Sequence, residues 1–327
     1  MKMQCILDKM QKACGERSIK TLEICAKVLP HLGVNFSTAV IERNARHPFI
    51  ACLHHAVMAG AHVAEMQKWA EMIKEEFGAR QWPVAGIICF QSPALSVIEE
   101  TRGISVTPSR VDEDHWSEEL RRYDHMIEEL KLDSFKQLVD PISSYSIVDL
   151  NGSASPRLYS GSRSSCFRSA HGAVIGSLEE YIEILSHEAS HISIFILEAK
   201  LGALVMGDYS DAHYYSPWRG DPRPVYGIFH GAMVFSIAVS FLSKLQSQKA
   251  QIRVSKLCIE LEEAFRQLGD HAQLSDLGLD MLKMAAENIS AIKSELPQNF
   301  LNAEQEVLKE RKARFLEKHG RGMIHVS

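Results

Sequence analysis

The 327-residue chain lacks any CxxC pair; its seven cysteines (Cys5, Cys14, Cys25, Cys52, Cys89, Cys166 and Cys258) are odd in number and widely scattered. That spacing excludes a zinc ribbon and argues against a disulfide framework, so a reducing compartment is expected. Basic charge is not in excess: 36 Lys and Arg against 41 Asp and Glu leave a formal charge of −5. A protein whose main work is gripping phosphate backbones would carry the opposite sign. No P-loop, GxGxxG or GxSxG string occurs, so nucleotide-binding and serine-hydrolase chemistry have no motif to rest on. Internal repeats and low-complexity tracts are also missing. The opening residues, MKMQCILDKMQKACGERS, hold no apolar stretch of signal-peptide length before the charges resume. A cytoplasmic protein is expected.

What the chain does have is the mix of a folded globular protein, 46% hydrophobic and 24% charged residues, in a length that suits one large or two ordinary domains. Apolar residues at three-and-four spacing predict helices over Ser18–Leu32 and Pro48–Phe77, and another over Asp112–Leu132. Short β-branched runs predict strands at Trp82–Phe90 and Tyr145–Leu150. Residues 151–176 shift to Ser, Gly and Arg and are expected to form a long loop, whose Arg157, Arg163 and Arg168 either grip an anion or line a solvated surface. Ser177-Leu-Glu-Glu180 is a capping box, and the helix it opens should run to about Val205. Further helices are expected over Tyr226–Leu245, Ile252–Leu268, Leu274–Leu296 and Ala303–His319. The stretch Val225–Leu242 is long enough to cross a membrane. It carries a central His230 with several Gly and Ser residues, so a buried core helix is expected, with no membrane partner. The fold class is then mainly α with a few short strands. Residues 1–150 form a mostly helical N-terminal region, a candidate substrate-binding part; residues 151–327 form a metal-binding catalytic region, either separate or one compact body with the first.

The chemistry lies in His187-Glu188-Ala189-Ser190-His191, an HExxH string inside the capped helix. Residues four apart share a helix face, so both imidazoles can reach one metal ion, with Glu188 at the edge of that face. Tyr181, Ile182, Ile184 and Leu185 precede the motif and Ile192, Ile194, Phe195, Ile196 and Leu197 follow it. Histidines buried in such a stretch need partners, and a metal is the simplest. The third ligand is open. Ile194 and Leu197 stand where a metzincin needs Gly and His, and no gluzincin-type NExxD string follows. Glu198 lies on the same helix but too far along its axis to share the metal. Asp208, Asp211, His213 and His230 remain, and His230 stands out because it interrupts an apolar helix between Gly227 and Gly231. His54, His55 and His62 are expected on one helix but have no acidic or Cys partner at ligand spacing. Ahead of the His230 helix, YSPWRGDPRP is stiffened by three prolines and carries Arg219 and Arg223, whose planar forks suit a carboxylate.

HEASH followed by SPWRGDPRPVYGIFHGAMVF resembles the HExxH-motif peptide-modification family, specifically over about residues 177–241. That resemblance implies an iron(II)- and 2-oxoglutarate-dependent oxygenase that uses O2 to hydroxylate a β-carbon in a peptide, in the biosynthesis of ribosomally made peptide natural products. It implies His187, His191 and His230 as metal ligands, and it places Arg219 and Arg223 in the family's WR…RP segment, where one would hold the distal carboxylate of 2-oxoglutarate. Glu188 would sit beside the metal as a supporting catalytic group. The partner is a peptide or amino-acid substrate, such as a ribosomally made precursor peptide, with no nucleic acid. Two other functions fit the same residues: a zinc metallopeptidase with Glu188 as general base, and a non-catalytic metal- or peptide-binding protein.

Overall fold

The computed structural model describes residues 2–43, 47–79, 89–90, 107–108, 113–142, 144–149, 160–163, 166–172, 175–207 and 214–320. The described chain is mainly helical with short strands, as its periodicity predicts. It divides into two units, one of Met10–Gly176 and one of Met1–Lys9 with Ser177–Ser327; they are called the N-terminal and C-terminal units below.

The N-terminal unit is built from α1 (Lys2–His31, from Met10 on), α2 (Thr38–Arg43), α3 (Pro48–Met58), α4 (Val63–Ala79), α5 (Glu113–Glu129) and α6 (Asp133–Val139) around a small mixed sheet. The single helix expected over Pro48–Phe77 is two. Its apolar spacing continues through the break, but Gly60 takes a φ of 66°, a left-handed conformation that glycine adopts at no steric cost. His54 and His55 therefore end one helix while His62 precedes the next. The sheet orders β1 (Cys89–Phe90), β3 (Ser144–Asp149), β5 (Cys166–Gly172) and β4 (Ser160–Arg163), with β2 (Thr107–Pro108) antiparallel to β3. β3 matches the predicted strand at Tyr145–Leu150; of Trp82–Phe90 only Cys89–Phe90 is described, residues 82–88 lying outside the described residues. β4 and β5 fall in the Ser-, Gly- and Arg-rich segment expected to be a loop. Strand propensity there is weak, and pairing supplies what it lacks: β5 runs parallel to β3, with Tyr145 opposite Ala170, both fully buried.

The C-terminal unit is helical: α7 (Leu178–Leu201), α8 (Val225–Leu242), α9 (Gln248–His271), α10 (Asp276–Ser294) and α11 (Gln298–His319). Two-residue strand pairs join β6 (Val205–Met206) to β9 (Gln273–Leu274) and β7 (Tyr214–Tyr215) to β8 (Pro222–Arg223). α8 is apolar around its whole circumference, with mean hydropathy 1.8, and by length and composition alone it could cross a membrane. A helix of that kind is stable where every face is covered. Here α7, α9 and α10 pack against it, and 72% of it is buried.

Candidate metal centre

α7 starts where the capping box predicts. The Ser177 hydroxyl accepts the Glu180 amide at 3.4 Å, and Lys249 of α9 holds the Ser177 hydroxyl at 2.9 Å and the Glu180 carboxylate at 3.0 Å. The helix stops at Gly202, whose φ of 96° no L side chain takes comfortably. Between Tyr181 and Glu198 every position is buried except four: His187, His191, Phe195 and Glu198. Their spacing of four, four and three puts them on one face. An otherwise enclosed core helix thus keeps a single partly accessible stripe, and the stripe carries the HExxH histidines.

α8 runs antiparallel to α7 and answers that stripe ring by ring. His187 packs on Phe235 with centroids 4.6 Å apart, His191 stacks on His230 at 5.9 Å, and Phe195 lies 5.2 Å from His230. His187 and His191 meet edge to face at 4.8 Å. The three histidines assigned to the metal are therefore one contiguous cluster on two helices. Among the described residues, however, no three His, Cys, Asp or Glu side chains converge into a ready-made metal cage. His230 is instead turned toward Glu198, its Nε2 3.2 Å from Oε2. Tyr226 donates its hydroxyl to the same oxygen at 2.8 Å, and the Leu204 amide donates to Oε1 at 3.4 Å.

Electrostatically the two HExxH imidazoles favour the neutral form, the one that binds metals. Burial depresses His187 below its ordinary value, with the nearby Glu188 and Glu183 carboxylates only partly opposing it. Burial pushes His191 well down, helped by repulsion from His187 and His230. For Glu198, burial raises the carboxyl, but the hydrogen bond and charge of His230, the Tyr226 hydroxyl and the Leu204 amide together hold it below the usual carboxylate range. His191 Nδ1 is buried and has no hydrogen-bond partner among the described residues. A buried, neutral, unpartnered imidazole nitrogen beside two other imidazoles is a donor set that suits iron(II) or zinc(II). Glu188 is 1% exposed at the edge of the cluster, with Oε1 4.0 Å from His187 Nε2.

The arginine loop is fixed from both sides. Arg311 of α11 donates to the Pro217 carbonyl at 2.8 Å and to Glu260 of α9 at 2.8 Å. The Trp218 indole lies over Gly231, where any Cβ would overlap it, and meets Phe235 at 5.3 Å. Gly231 is thus small to admit a tryptophan from the loop. Trp218 and Phe235 continue the aromatic wall that begins at His187. Arg219 and Arg223 both turn their forks to Asp221. Arg219 Nε is 3.3 Å from Oδ2, and Arg223 reaches Oδ1 at 3.3 Å and Oδ2 at 3.4 Å. Arg223, just ahead of α8, is the less exposed of the two.

Asp208, Asp211 and His213, the other candidates for third ligand, lie outside the described residues, as do Arg157 and the side chains of Arg163 and Arg168. Glu198 and Tyr226 are the polar residues that sequence reasoning passed over. Their signals were present: Glu198 follows His191 by seven, two turns along the same face, and Tyr226 precedes His230 by four. Long side chains leaning toward the helix N-terminus shorten the axial gap that made Glu198 look remote. No family model matches the chain, and no curated protein matches it.

Proposed function

We propose that this protein is an iron(II)- and 2-oxoglutarate-dependent oxygenase that hydroxylates a β-carbon of an amino-acid residue in a peptide. One observation carries most of the weight: the sole partly accessible stripe of a buried helix presents two neutral imidazoles to a third on the neighbouring helix. His187, His191 and His230 would hold the metal. When bound, iron supplies the O2 chemistry and leaves positions for a bidentate 2-oxo acid. The chain's own residues do the remaining work. Phe195 and Phe235 pack against the imidazoles and Trp218 against Phe235, an aromatic wall along the cluster, and removing hydrogen from an unactivated carbon asks no acid or base of Glu188. Arg223 is the better placed of the two loop arginines to orient the distal carboxylate of 2-oxoglutarate, with Asp221 holding its fork until a ligand carboxylate replaces it. The peptide substrate, such as a ribosomally made precursor, rests on the resemblance in HEASH and SPWRGDPRPVYGIFHGAMVF. A cytoplasmic setting accords with Cys14, Cys25, Cys52 and Cys258, which are buried and not joined in disulfides.

The test is metal content of protein purified without oxygen, followed by O2 uptake on adding iron(II) and 2-oxoglutarate. Uptake should depend on both. Replacing Arg223 by Met should raise the apparent KM for 2-oxoglutarate by roughly 30- to 150-fold, the loss of a hydrogen-bonded charge pair. Zinc-dependent peptide cleavage that disappears in Glu188→Gln would overturn the oxygenase and establish the peptidase.

A further inference from the structure

Three donors converge on one carboxylate beside the imidazole cluster: the Tyr226 hydroxyl and His230 Nε2 at Oε2 of Glu198, and the Leu204 amide at Oε1. The geometry is supported from behind. The Leu204 carbonyl accepts the Ser275 amide at 3.0 Å and the Ser275 hydroxyl at 3.3 Å, and it presses against Gly278, where a Cβ would collide with it. The β6–β9 pair fixes the residues that follow. Glu198 is therefore anchored at both oxygens, one turn before the end of α7, with His230 only 4% exposed beside it.

We infer that Glu198 is a positioning residue that fixes the tautomer and ring orientation of His230. An ionised carboxylate only accepts hydrogen bonds, so the ring nitrogen facing it must carry the proton. A neutral imidazole has one N–H and one lone pair, so Nε2–H given to Glu198 leaves the lone pair on Nδ1. Carboxylates that hold metal-binding histidines by the far nitrogen work in this way, orienting the ring and raising its basicity. Tyr226 takes the second lone pair of Oε2 and the Leu204 amide one of Oε1, which holds Glu198 in place as the partner of His230. The metal part of the inference rests on the function proposed above; the tautomer part stands without it.

Both parts can be read on the full chain labelled with ¹⁵N-histidine, using long-range ¹H–¹⁵N NMR with the His230 signals assigned by His230→Ala. Without metal, His230 should be the Nε2–H tautomer, and Glu198→Ala should convert it to a mixture. Glu198→Gln, whose amide oxygen still accepts, should keep it; Glu198→Met, which fills the space without an acceptor, should also give a mixture and replaces the alanine variant if that protein does not fold. On titration with zinc(II) alone, the His230 Nδ1 signal should move while Nε2 keeps its proton. Zinc affinity, measured by competition with a chromophoric chelator, should fall about 10- to 100-fold in Glu198→Ala and recover in part in Glu198→Gln. An unchanged tautomer in Glu198→Ala or Glu198→Met would overturn the inference. So would a zinc shift at Nε2, or a loss of zinc in Glu198→Gln as complete as in His187→Ala, which would make Glu198 a ligand. If the wild type binds no zinc while the tautomer responds as described, the proposed metal function fails and the positioning role survives.

Discussion

Both units bury histidines, and they do so to opposite effect. In the N-terminal unit His47 and His54 sit apart, each tied down by a local partner. His47 Nδ1 accepts the Phe49 amide at 3.1 Å as the cap of α3, and His54 Nδ1 pairs with the Thr21 hydroxyl at 2.6 Å. Burial drives His47 down to about 3; burial, with repulsion from Arg17, Lys20 and His55, drives His54 down to about 4. In the C-terminal unit burial depresses His187 and His191 in the same way, yet these two touch each other on a partly accessible face and His191 stacks on the buried His230. Burial alone makes a neutral imidazole. Convergence of several on an open face makes a candidate ligand set.

That contrast is broken or sharpened most strongly by exchanging roles. His191→Ala should lower zinc or iron affinity by at least about 100-fold with little change in fold, whereas His54→Ala should leave metal affinity untouched and cost on the order of 2 kcal/mol of stability. Equal effects of the two on metal binding would dissolve the distinction.

The next largest effect concerns the charge beneath the metal helix. Arg253 of α9 forks onto Glu183, one turn before His187, with Nε 2.8 Å from Oε2 and Nη2 paired to Oε1. Burial opposes the charge on Arg253, but the hydrogen bond and charge of Glu183 hold its guanidinium above its ordinary value. Arg253→Met strands that carboxylate and should destabilise the unit by about 3–5 kcal/mol in denaturant unfolding. Replacing both partners by Met should recover most of the loss, because the pair's worth lies in mutual neutralisation.

Acid separates the units by degree. The unfolded chain binds protons on its histidines near pH 6.5, while folded His54 and His47 stay neutral until about 4 and about 3. The unfolded state therefore binds more protons in that window, and stability falls as pH falls. Each of the two should contribute about 1.4 kcal/mol per pH unit between about pH 6 and about pH 5. His54→Gln should remove one such share from the stability–pH slope; an unchanged slope would show that the imidazole is already protonated in the fold. The smallest effect is at the start of α7, where Ser177→Ala should cost about 1 kcal/mol and detach one of the two contacts of Lys249.

The helix start at Ser177 and the shared face of His187 and His191 were legible because capping and 3.6-residue periodicity are properties of a few neighbouring residues. The buried nature of Val225–Leu242 was legible for a similar reason: a helix apolar all round has no face to offer water. The break at Gly60 was not, since apolar spacing runs through it and only the backbone turn interrupts the helix. Nor were β4 and β5, whose Ser- and Gly-rich residues pair through their backbones with a partner strand already in place.

Local pattern thus decided which residues lie on which helix and which way they face. It could not decide what stands opposite them. The antiparallel packing of α8 on α7 brings Glu198 and Tyr226 to His230 and places Phe235 against His187. The path of the loop, pinned by Arg311 and by Trp218 over Gly231, turns Arg219 and Arg223 onto Asp221. Those contacts join residues up to 94 positions apart, and they exist only because many weak apolar contacts, each read poorly from its own stretch of chain, settle together on one arrangement.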